Sequence, residues 1–165
     1  MATKTETAIF AAGCFWGVQY YFDQVPGVIE TEVGYIGGHV DKPTYEMVCS
    51  HTTGHAEATK IIYDPKKVTY ETLLQQFFRM HDPTQLNRQG PDVGDSYRSA
   101  IFYLDNEQKD AAQKVINELN KNQFDSKIVT TLEKANTFWL AEDYHQKYTE
   151  KTGMGACHVD YAPVK

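Results

Sequence analysis

A cysteine between two glycines, in Gly13-Cys14-Phe15-Trp16-Gly17, constrains the fold of this chain more than any other short segment. The apolar run 8–12 precedes it, and a helix-like stretch at 18–22 follows it. This order predicts a strand, a tight turn and a helix, with the thiol in the first turn of the helix. Unpaired backbone N–H groups and the positive end of the helix dipole lie there, and both favour the nucleophilic thiolate.

The alternative interpretation of Cys14 is a buried, inert thiol, because free cysteine is among the most buried residue types. The flanking glycines argue against it, since a core position rarely needs backbone freedom on both sides. Phe15 and Trp16, directly after the thiol, would place apolar surface against it. Cys14 is therefore the first candidate for a catalytic nucleophile.

Charge and composition exclude several classes of function. A formal net charge of -6 argues against a nucleic-acid-binding surface. No stretch approaches the ~18 apolar residues of a membrane span, and the N-terminus lacks the apolar core of a signal peptide. The chain has 3 cysteines, far apart, which is not the pattern of a secreted disulfide framework. We therefore expect a cytoplasmic monomer that binds neither nucleic acid nor membrane.

Alternating strand-like and helix-like segments predict a two-layer α/β or α+β sandwich, and the length is that of a single domain. Two long segments, 37–54 and 81–97, are rich in turn-forming residues, and long loops of this kind are often functional. The predicted strands are 6–12, 27–36, 55–63, 98–104 and 127–132, and the predicted helices are 14–24, 68–80, 106–122 and 141–151.

Four side chains outside the cysteine turn are candidates for contact with a polar substrate. Glu57 is a carboxylate in a small, apolar strand opening, where desolvation would raise its pKa and keep it protonated. Tyr45 and Tyr97 lie in the two long segments, and their hydroxyls could donate hydrogen bonds to a substrate oxygen. Each also has a structural interpretation, as a solvent-facing carboxylate or a partly buried tyrosine. Asp92 is most simply a turn residue.

Cys157 lies in a glycine-containing tail, from about residue 153 to 165, that we expect to be mobile. Such a tail could bring Cys157 within the ~7 Å Cα separation that a disulfide with Cys14 requires. A spectator thiol is equally compatible with the sequence.

Cys49, His51 and His55 have metal-ligand character, and Cys157 with His158 could complete a zinc site. The spacing matches no familiar zinc pattern, and no Cys-x-x-Cys supports it. The sequence therefore does not predict a metal. His81 and His145 are interpreted as hydrogen-bonded structural histidines.

The motifs together resemble those of the peptide methionine sulfoxide reductase A family. The cysteine pentapeptide looks like the active-site signature of that family, and the other blocks run in family order over nearly the whole chain. These blocks are Tyr45-x3-Cys49, Thr53-Gly54-His55-Ala56-Glu57-Ala58, Tyr63-Asp64-Pro65, His81-Asp82-Pro83-Thr84, Gln89-Gly90-x-Asp92-x-Gly94, Tyr97-Arg98-Ser99-Ala100-Ile101 and Ala141-Glu142-Asp143-Tyr144-His145-Gln146-x-Tyr148.

The resemblance implies a ferredoxin-like fold with long surrounding coils, and an enzyme without a metal or organic cofactor. The implied activity is protein repair after oxidative stress, by reduction of the S epimer of methionine sulfoxide, free or in proteins. By the same resemblance, Cys14 would attack the sulfoxide sulfur and Glu57 would supply a proton to the oxygen. Tyr45 and Tyr97 would bond that oxygen.

The resemblance also implies how the substrate is held and how the enzyme is recycled. Phe15 and Trp16 would hold the substrate methyl group, and Asp92 would help to orient the substrate main chain or water. Cys14 would be left as a sulfenic acid, and Cys157 would form a disulfide with it that thioredoxin reduces. A cysteine peroxidase, which also forms a sulfenic acid, and a zinc-binding module are the competing functions.

Overall fold

A six-stranded mixed β-sheet forms the centre of the computed structural model, which describes residues 4–89 and 92–153. The strands are β1 (Glu6–Ala12), β2 (Val28–Ile36), β3 (Ala56–Tyr63), β4 (Arg88–Gln89), β5 (Asp92–Val93), β6 (Ser99–Tyr103), β7 (Thr131–Lys134) and β8 (Trp139–Leu140). The helices are α1 (Phe15–Asp23), α2 (Tyr45–Cys49), α3 (Tyr70–Met80), α4 (Asn106–Asn122) and α5 (Tyr148–Thr152), with 3₁₀ turns at Asp95–Tyr97 and Asp143–His145.

Four strands in the order β6-β1-β3-β2 make the middle of the sheet, and the three pairs among them are antiparallel. Helix α1 connects β1 to β2, and α3 connects β3 to β6. This is the ferredoxin-like arrangement that the resemblance implied. Strand β7 adds to β6 in parallel after the α4 crossover, and β8 adds antiparallel to β2. The two-residue strands β4 and β5 form a separate ribbon.

Side chains alternate between the two faces of a strand, so those of the central strands pack into two different parts of the core. Phe10 of β1 packs against α1 and α3, with ring centroids 5.8 Å from Phe22 and 5.0 Å from Phe77. Ile9 and its neighbours line the opposite face, which Phe138 helps to cover. With both faces buried, the central strands form a rigid support for the turns at their ends. Over the described residues, no helix is long and apolar enough to cross a membrane.

The predicted strands at 6–12, 27–36, 55–63 and 98–104 are confirmed to within about two residues at each end. The predicted helices 14–24, 68–80 and 106–122 are confirmed to the same accuracy.

The predicted strand at 127–132 was wrong in its position, because regular pairing with β6 covers only Thr131–Lys134. Backbone N–H groups just before it bond elsewhere. That of Ile128 donates to Asn120 Oδ1 at 3.0 Å, and that of Val129 donates to the Pro83 carbonyl at 2.8 Å. Contacts with neighbouring loops therefore replace the sheet ladder there.

The predicted helix at 141–151 was also wrong, because the segment is a 3₁₀ turn followed by α5, with a break at Lys147. Lys147 has a left-handed φ of 58°. Its backbone N–H donates to Gln19 Oε1 at 2.7 Å, and its Nζ lies 2.8 Å from both carboxylate oxygens of Asp23. These bonds to α1 stabilise a conformation that no helix can contain.

The long segments 37–54 and 81–97 are partly regular. Segment 37–54 contains α2, which begins after Thr44, whose side chain accepts a hydrogen bond from the Met47 N–H. Segment 81–97 contains the ribbon and the 3₁₀ turn at Asp95–Tyr97. Tyr45 and Tyr97 therefore lie on ordered short helices.

Candidate active site

Cys14 is the N-cap residue of α1 and lies two residues after the end of β1. The turn depends on Gly13, whose φ of 92° is a conformation that side chains disfavour. Cys14 is 8% exposed, so its thiol is largely shielded from water. The strand–turn–helix predicted around Cys14 is confirmed.

Glu57 lies on β3 and faces the same turn. It is 1% exposed, which rules out the solvent-facing interpretation. Its Oε1 accepts a hydrogen bond from the backbone N–H of Phe15, at 3.3 Å. The carboxyl group therefore lies at the N-terminus of α1, one residue from Cys14.

Tyr45 and Tyr97 bring two hydroxyl groups to the same region. The pKa of each lies well above its ordinary value, mainly because of burial and also because of the nearby carboxyl group of Glu57. Cys14 and Asp92 also raise the pKa of Tyr97. Both hydroxyls therefore keep their protons and remain hydrogen-bond donors.

Cys49 joins these two tyrosines, a role that the sequence did not reveal. Its thiol is hydrogen-bonded to Tyr45 and Tyr97, and burial followed by the proximity of Glu57 raises its pKa in spite of those bonds. Cys49 therefore remains a neutral thiol. The signal that could have found it is the Tyr45-x3-Cys49 spacing, because residues four apart lie on one face of a helix.

Phe15 and Trp16, the two residues that follow Cys14, form an aromatic wall with the rings around them. The Phe15 ring lies 5.8 Å from the ring of Tyr35 and 6.4 Å from that of Tyr45, measured between centroids. Trp16 stacks on Tyr148 at 4.0 Å. The site thus combines apolar aromatic surface with hydroxyl donors.

His145 holds this wall in place. It is fully buried, and burial lowers its pKa despite the opposing effect of Glu142. Its Nδ1 accepts a hydrogen bond from Trp16 Nε1 at 2.8 Å. The prediction of a hydrogen-bonded histidine is confirmed, although its link to Trp16 was not foreseen.

Glu142 links α2 to strand β2 of the sheet by hydrogen bonds. Its Oε1 accepts a hydrogen bond from the Tyr35 hydroxyl at 2.8 Å, and its Oε2 accepts one from the Tyr45 backbone N–H at 3.0 Å. Burial opposes ionisation of Glu142, but these hydrogen bonds outweigh it and hold its pKa below the usual value. A carboxylate thus fixes the first residue of the helix that carries Tyr45 and Cys49.

The remaining candidates are placed as follows. Asp92 is a strand residue that pairs with Gln89 in the ribbon. Cys157 and His158 lie outside the described residues. Both ring nitrogens of His55 contact backbone groups. Its Nδ1 accepts a hydrogen bond from the Gly38 N–H at 3.0 Å, and its Nε2 lies 2.7 Å from the Val40 carbonyl oxygen. Within residues 4–89 and 92–153, no group of three or more potential metal ligands is assembled.

This chain is similar to known proteins over most of its length. The family model described as "Peptide methionine sulfoxide reductase" matches residues 6–165. A relative from Methanosarcina acetivorans, named peptide methionine sulfoxide reductase MsrA, is 57% identical over 150 residues, which cover 90% of this chain and 80% of the relative.

Solved structures show the same similarity. Mxr1 from Saccharomyces cerevisiae in reduced form is 34% identical, with a TM-score of 0.88 over 94% of this chain and 90% of that chain. The structure of Mxr1 in complex with Trx2 is 24% identical, with a TM-score of 0.64 over 90% of this chain and 87% of that chain, and shares the fold.

We expect Glu142→Gln to lower the free energy of unfolding by about 1 kcal/mol near neutral pH. The pKa of Glu142 in the folded protein lies below its ordinary value of 4.5, so the carboxylate stabilises the fold above that pH. This contribution is lost as the pH falls through the folded pKa. Urea unfolding of wild type and variant should therefore differ most near neutral pH and converge in acid.

Glu118→Gln is the control, because Glu118 is exposed on α4. Its effect on the free energy of unfolding should be small at every pH. A Glu142→Gln effect that grew as the pH fell would contradict the assignment.

Proposed function

This chain belongs to the peptide methionine sulfoxide reductase family, and from that premise we propose that it reduces the S epimer of methionine sulfoxide, free or in proteins, to methionine. It is thus an oxidoreductase of this family, and the proposal concerns its stereochemistry, its catalytic residues and its recycling. We also propose a cytoplasmic location, since recycling of a thiol enzyme by thioredoxin requires a reducing compartment.

One observation carries the proposal: the buried carboxyl group of Glu57 is hydrogen-bonded to the residue that follows Cys14. A nucleophile and a proton donor therefore share one helix N-terminus. Such burial favours the neutral form of a carboxyl group, which is the form that can give a proton to an oxygen atom.

In the proposed first step, the Cys14 thiolate attacks the sulfoxide sulfur while Glu57 protonates the oxygen. A transient S–S bond forms between Cys14 and the substrate. This bond and the S–O bond of the substrate then break as the protonated oxygen moves to the Cys14 sulfur, and methionine leaves. A sulfoxide and a thiol become a thioether, which is methionine, and a sulfenic acid, with no atom lost. Tyr45 and Tyr97 support this step, because their protonated hydroxyls can stabilise charge on the oxygen.

The aromatic wall supports the choice of a methyl sulfoxide over a peroxide. A sulfoxide is polar at oxygen and apolar at its methyl group, so its site needs donors and apolar surface together. Phe15 and Trp16 would hold the methyl group, with Trp16 fixed by its bond to His145. Asp92, at the edge of the ribbon, would orient the substrate main chain or water.

Recycling would use Cys157 and thioredoxin. The Cys157 thiol would attack the Cys14 sulfenic acid, forming a disulfide and releasing water. A thioredoxin dithiol would then reduce that disulfide by exchange and become oxidised itself. The complex of Mxr1 with Trx2 supports this proposal, since reduced Mxr1 is 34% identical to this chain.

Single-turnover reduction of the two separated epimers of a methionine sulfoxide peptide tests the activity. Wild type should form methionine from the S epimer only, and Cys14→Ser should form none, because serine at this position supplies no thiolate. Circular dichroism should show an intact fold for the variant. A Cys14→Ser rate within about tenfold of wild type would reject Cys14 as the nucleophile, since a lost nucleophile costs far more. Faster turnover of hydrogen peroxide than of the sulfoxide would favour the peroxidase alternative.

We expect Glu57→Gln to slow the single-turnover step by about 10²-fold or more, the usual effect of removing a positioned acid. The amide oxygen can still accept the Phe15 N–H bond, so the fold is retained, but an amide supplies no proton. Glu118→Gln, the exposed control, should keep the wild-type rate. If Glu57→Gln also kept that rate, solvent would be the proton source and Glu57 a structural residue.

We expect Cys157→Ser to keep the first turnover, because the chemistry at sulfur needs only Cys14. Turnover driven by thioredoxin should collapse, whereas dithiothreitol should still support some turnover. Mass spectrometry of wild type after one turnover should find a Cys14–Cys157 disulfide. A Cys14–Cys49 disulfide, or full thioredoxin-driven turnover in Cys157→Ser, would assign recycling to another residue.

A further inference from the structure

His51 lies two residues after α2 and contacts the 3₁₀ turn that ends at Tyr97. Its Nδ1 is hydrogen-bonded to the hydroxyl of Ser96 at 3.3 Å and lies 3.8 Å from Asp95 Oδ1. Its ring meets that of Tyr97 edge-on, with centroids 6.1 Å apart. One side chain thus touches three consecutive residues of the turn.

The His51 ring also closes over Gly94, at the start of that turn. A Cβ atom at Gly94 would lie 2.2 Å from His51 Cε1, a distance that no real pair of such atoms adopts. Gly94 also has a φ of 136°, which side chains rarely adopt. The glycine therefore allows the histidine ring to pack directly against the backbone.

The backbone of His51 has a left-handed φ of 61°. This conformation is uncommon for residues other than glycine, although histidine is among those that adopt it more often. A histidine is therefore held in a conformation suited to glycine, with its ring against the tyrosine-bearing turn. None of the proposed chemical steps uses this side chain.

We propose that His51 is a positioning residue for Tyr97: it couples the end of α2, which carries Tyr45 and Cys49, to the turn that carries Tyr97. The inference rests on the proposed function, in which the Tyr97 hydroxyl bonds the sulfoxide oxygen. Tyr45 and Tyr97 come from segments far apart in the chain. Their side chains are both hydrogen-bonded to the thiol of Cys49. His51 sets the distance between α2, which carries Tyr45, and the 3₁₀ turn, which carries Tyr97.

The turn has other attachments, so removal of His51 should displace it rather than unfold it. The Gly94 N–H donates to the Asn87 carbonyl at 2.8 Å. Arg98 Nη1 donates to the carbonyl oxygens of Gly54 and Asp95, at 3.1 and 3.0 Å. A small displacement of a hydrogen-bond donor is enough to slow a reaction whose transition state it stabilises.

The test compares His51→Gly with His51→Asn. Glycine adopts the left-handed backbone without strain, so His51→Gly removes only the ring and keeps the fold. Asparagine also adopts this backbone and keeps a side chain that can bond Ser96. The matched control is Ser126→Gly, because Ser126 is exposed and has the same φ of 61°, in the loop after α4.

The first measurement is single-turnover reduction of a methionine sulfoxide peptide by these variants, alone and combined with Tyr97→Phe. His51→Gly should lower the saturating rate about threefold to tenfold, with little change in half-saturating substrate concentration, since the lost interaction acts in the transition state. His51→Asn should recover most of the rate, and Ser126→Gly should match wild type. In the Tyr97→Phe background, His51→Gly should have almost no further effect.

The second measurement does not depend on activity. 3-Fluorotyrosine labels all 11 tyrosines, and the resonance missing from Tyr97→Phe identifies Tyr97. His51→Gly should shift or broaden that ¹⁹F resonance, and Ser126→Gly should leave it unchanged. If wild type reduced no sulfoxide, the proposed function would fail, whereas the ¹⁹F result would still decide whether His51 positions Tyr97.

Three results would overturn the inference: a wild-type rate in His51→Gly, an equal loss of rate with and without the Tyr97 hydroxyl, or an unchanged Tyr97 resonance. Any of them would show that His51 serves only the packing of its own loop.

Discussion

The hydrogen bond from the Phe15 N–H to Glu57 Oε1 is the interaction on which the candidate site depends. A buried carboxyl group is costly unless its oxygens are satisfied, and the N-terminus of a helix offers donors that lack partners within the helix. This hydrogen bond joins the N-terminus of helix α1 to strand β3. Since β3 pairs with both β1 and β2, strand pairing in the interior of the sheet fixes the position of Glu57 relative to Cys14.

The segment from Glu142 to Lys147 supports the other side of the site without forming a continuous helix. Glu142 holds α2, His145 holds Trp16, and Lys147 bonds Asp23 at the end of α1. Gln146 completes the attachment, because its side chain both donates to and accepts from the backbone of Val33, at 2.9 and 3.0 Å. One short segment thus contacts three elements, α1, α2 and β2.

The electrostatics of the site favour neutral donors. Burial raises the pKa values of Tyr45, Tyr97 and Cys49, so the two hydroxyls and the thiol keep their protons together. The ionised carboxylate nearby, Glu142, is used to fix backbone and is bonded to the Tyr35 hydroxyl. Neutral donors of this kind suit a neutral, strongly dipolar group such as a sulfoxide better than a charged substrate.

Local sequence patterns were enough to predict the central elements and the place of the candidate nucleophile, Cys14. The runs that form β1 and α1 are strongly patterned, and Gly13 marks the turn between them, so Cys14 could be placed at a helix N-terminus from local chemistry alone. Local placement made Glu57, Tyr45 and Tyr97 candidates and the family resemblance implied their roles, although nothing local distinguished a buried Glu57 from an exposed one.

The contacts that hold the site together depend on the folded arrangement of distant segments. The bonds of His145 to Trp16 and of Glu142 to Tyr45 join residues 129 and 97 positions apart, and such pairs leave no periodic trace in a sequence. The break at Lys147 likewise follows from contacts with α1, which outweigh the local preference for helix. A local sequence pattern reflects interactions between residues that are close together in the chain. The positions of the tyrosines, Cys49 and His51 depend instead on contacts that exist only once the sheet has formed.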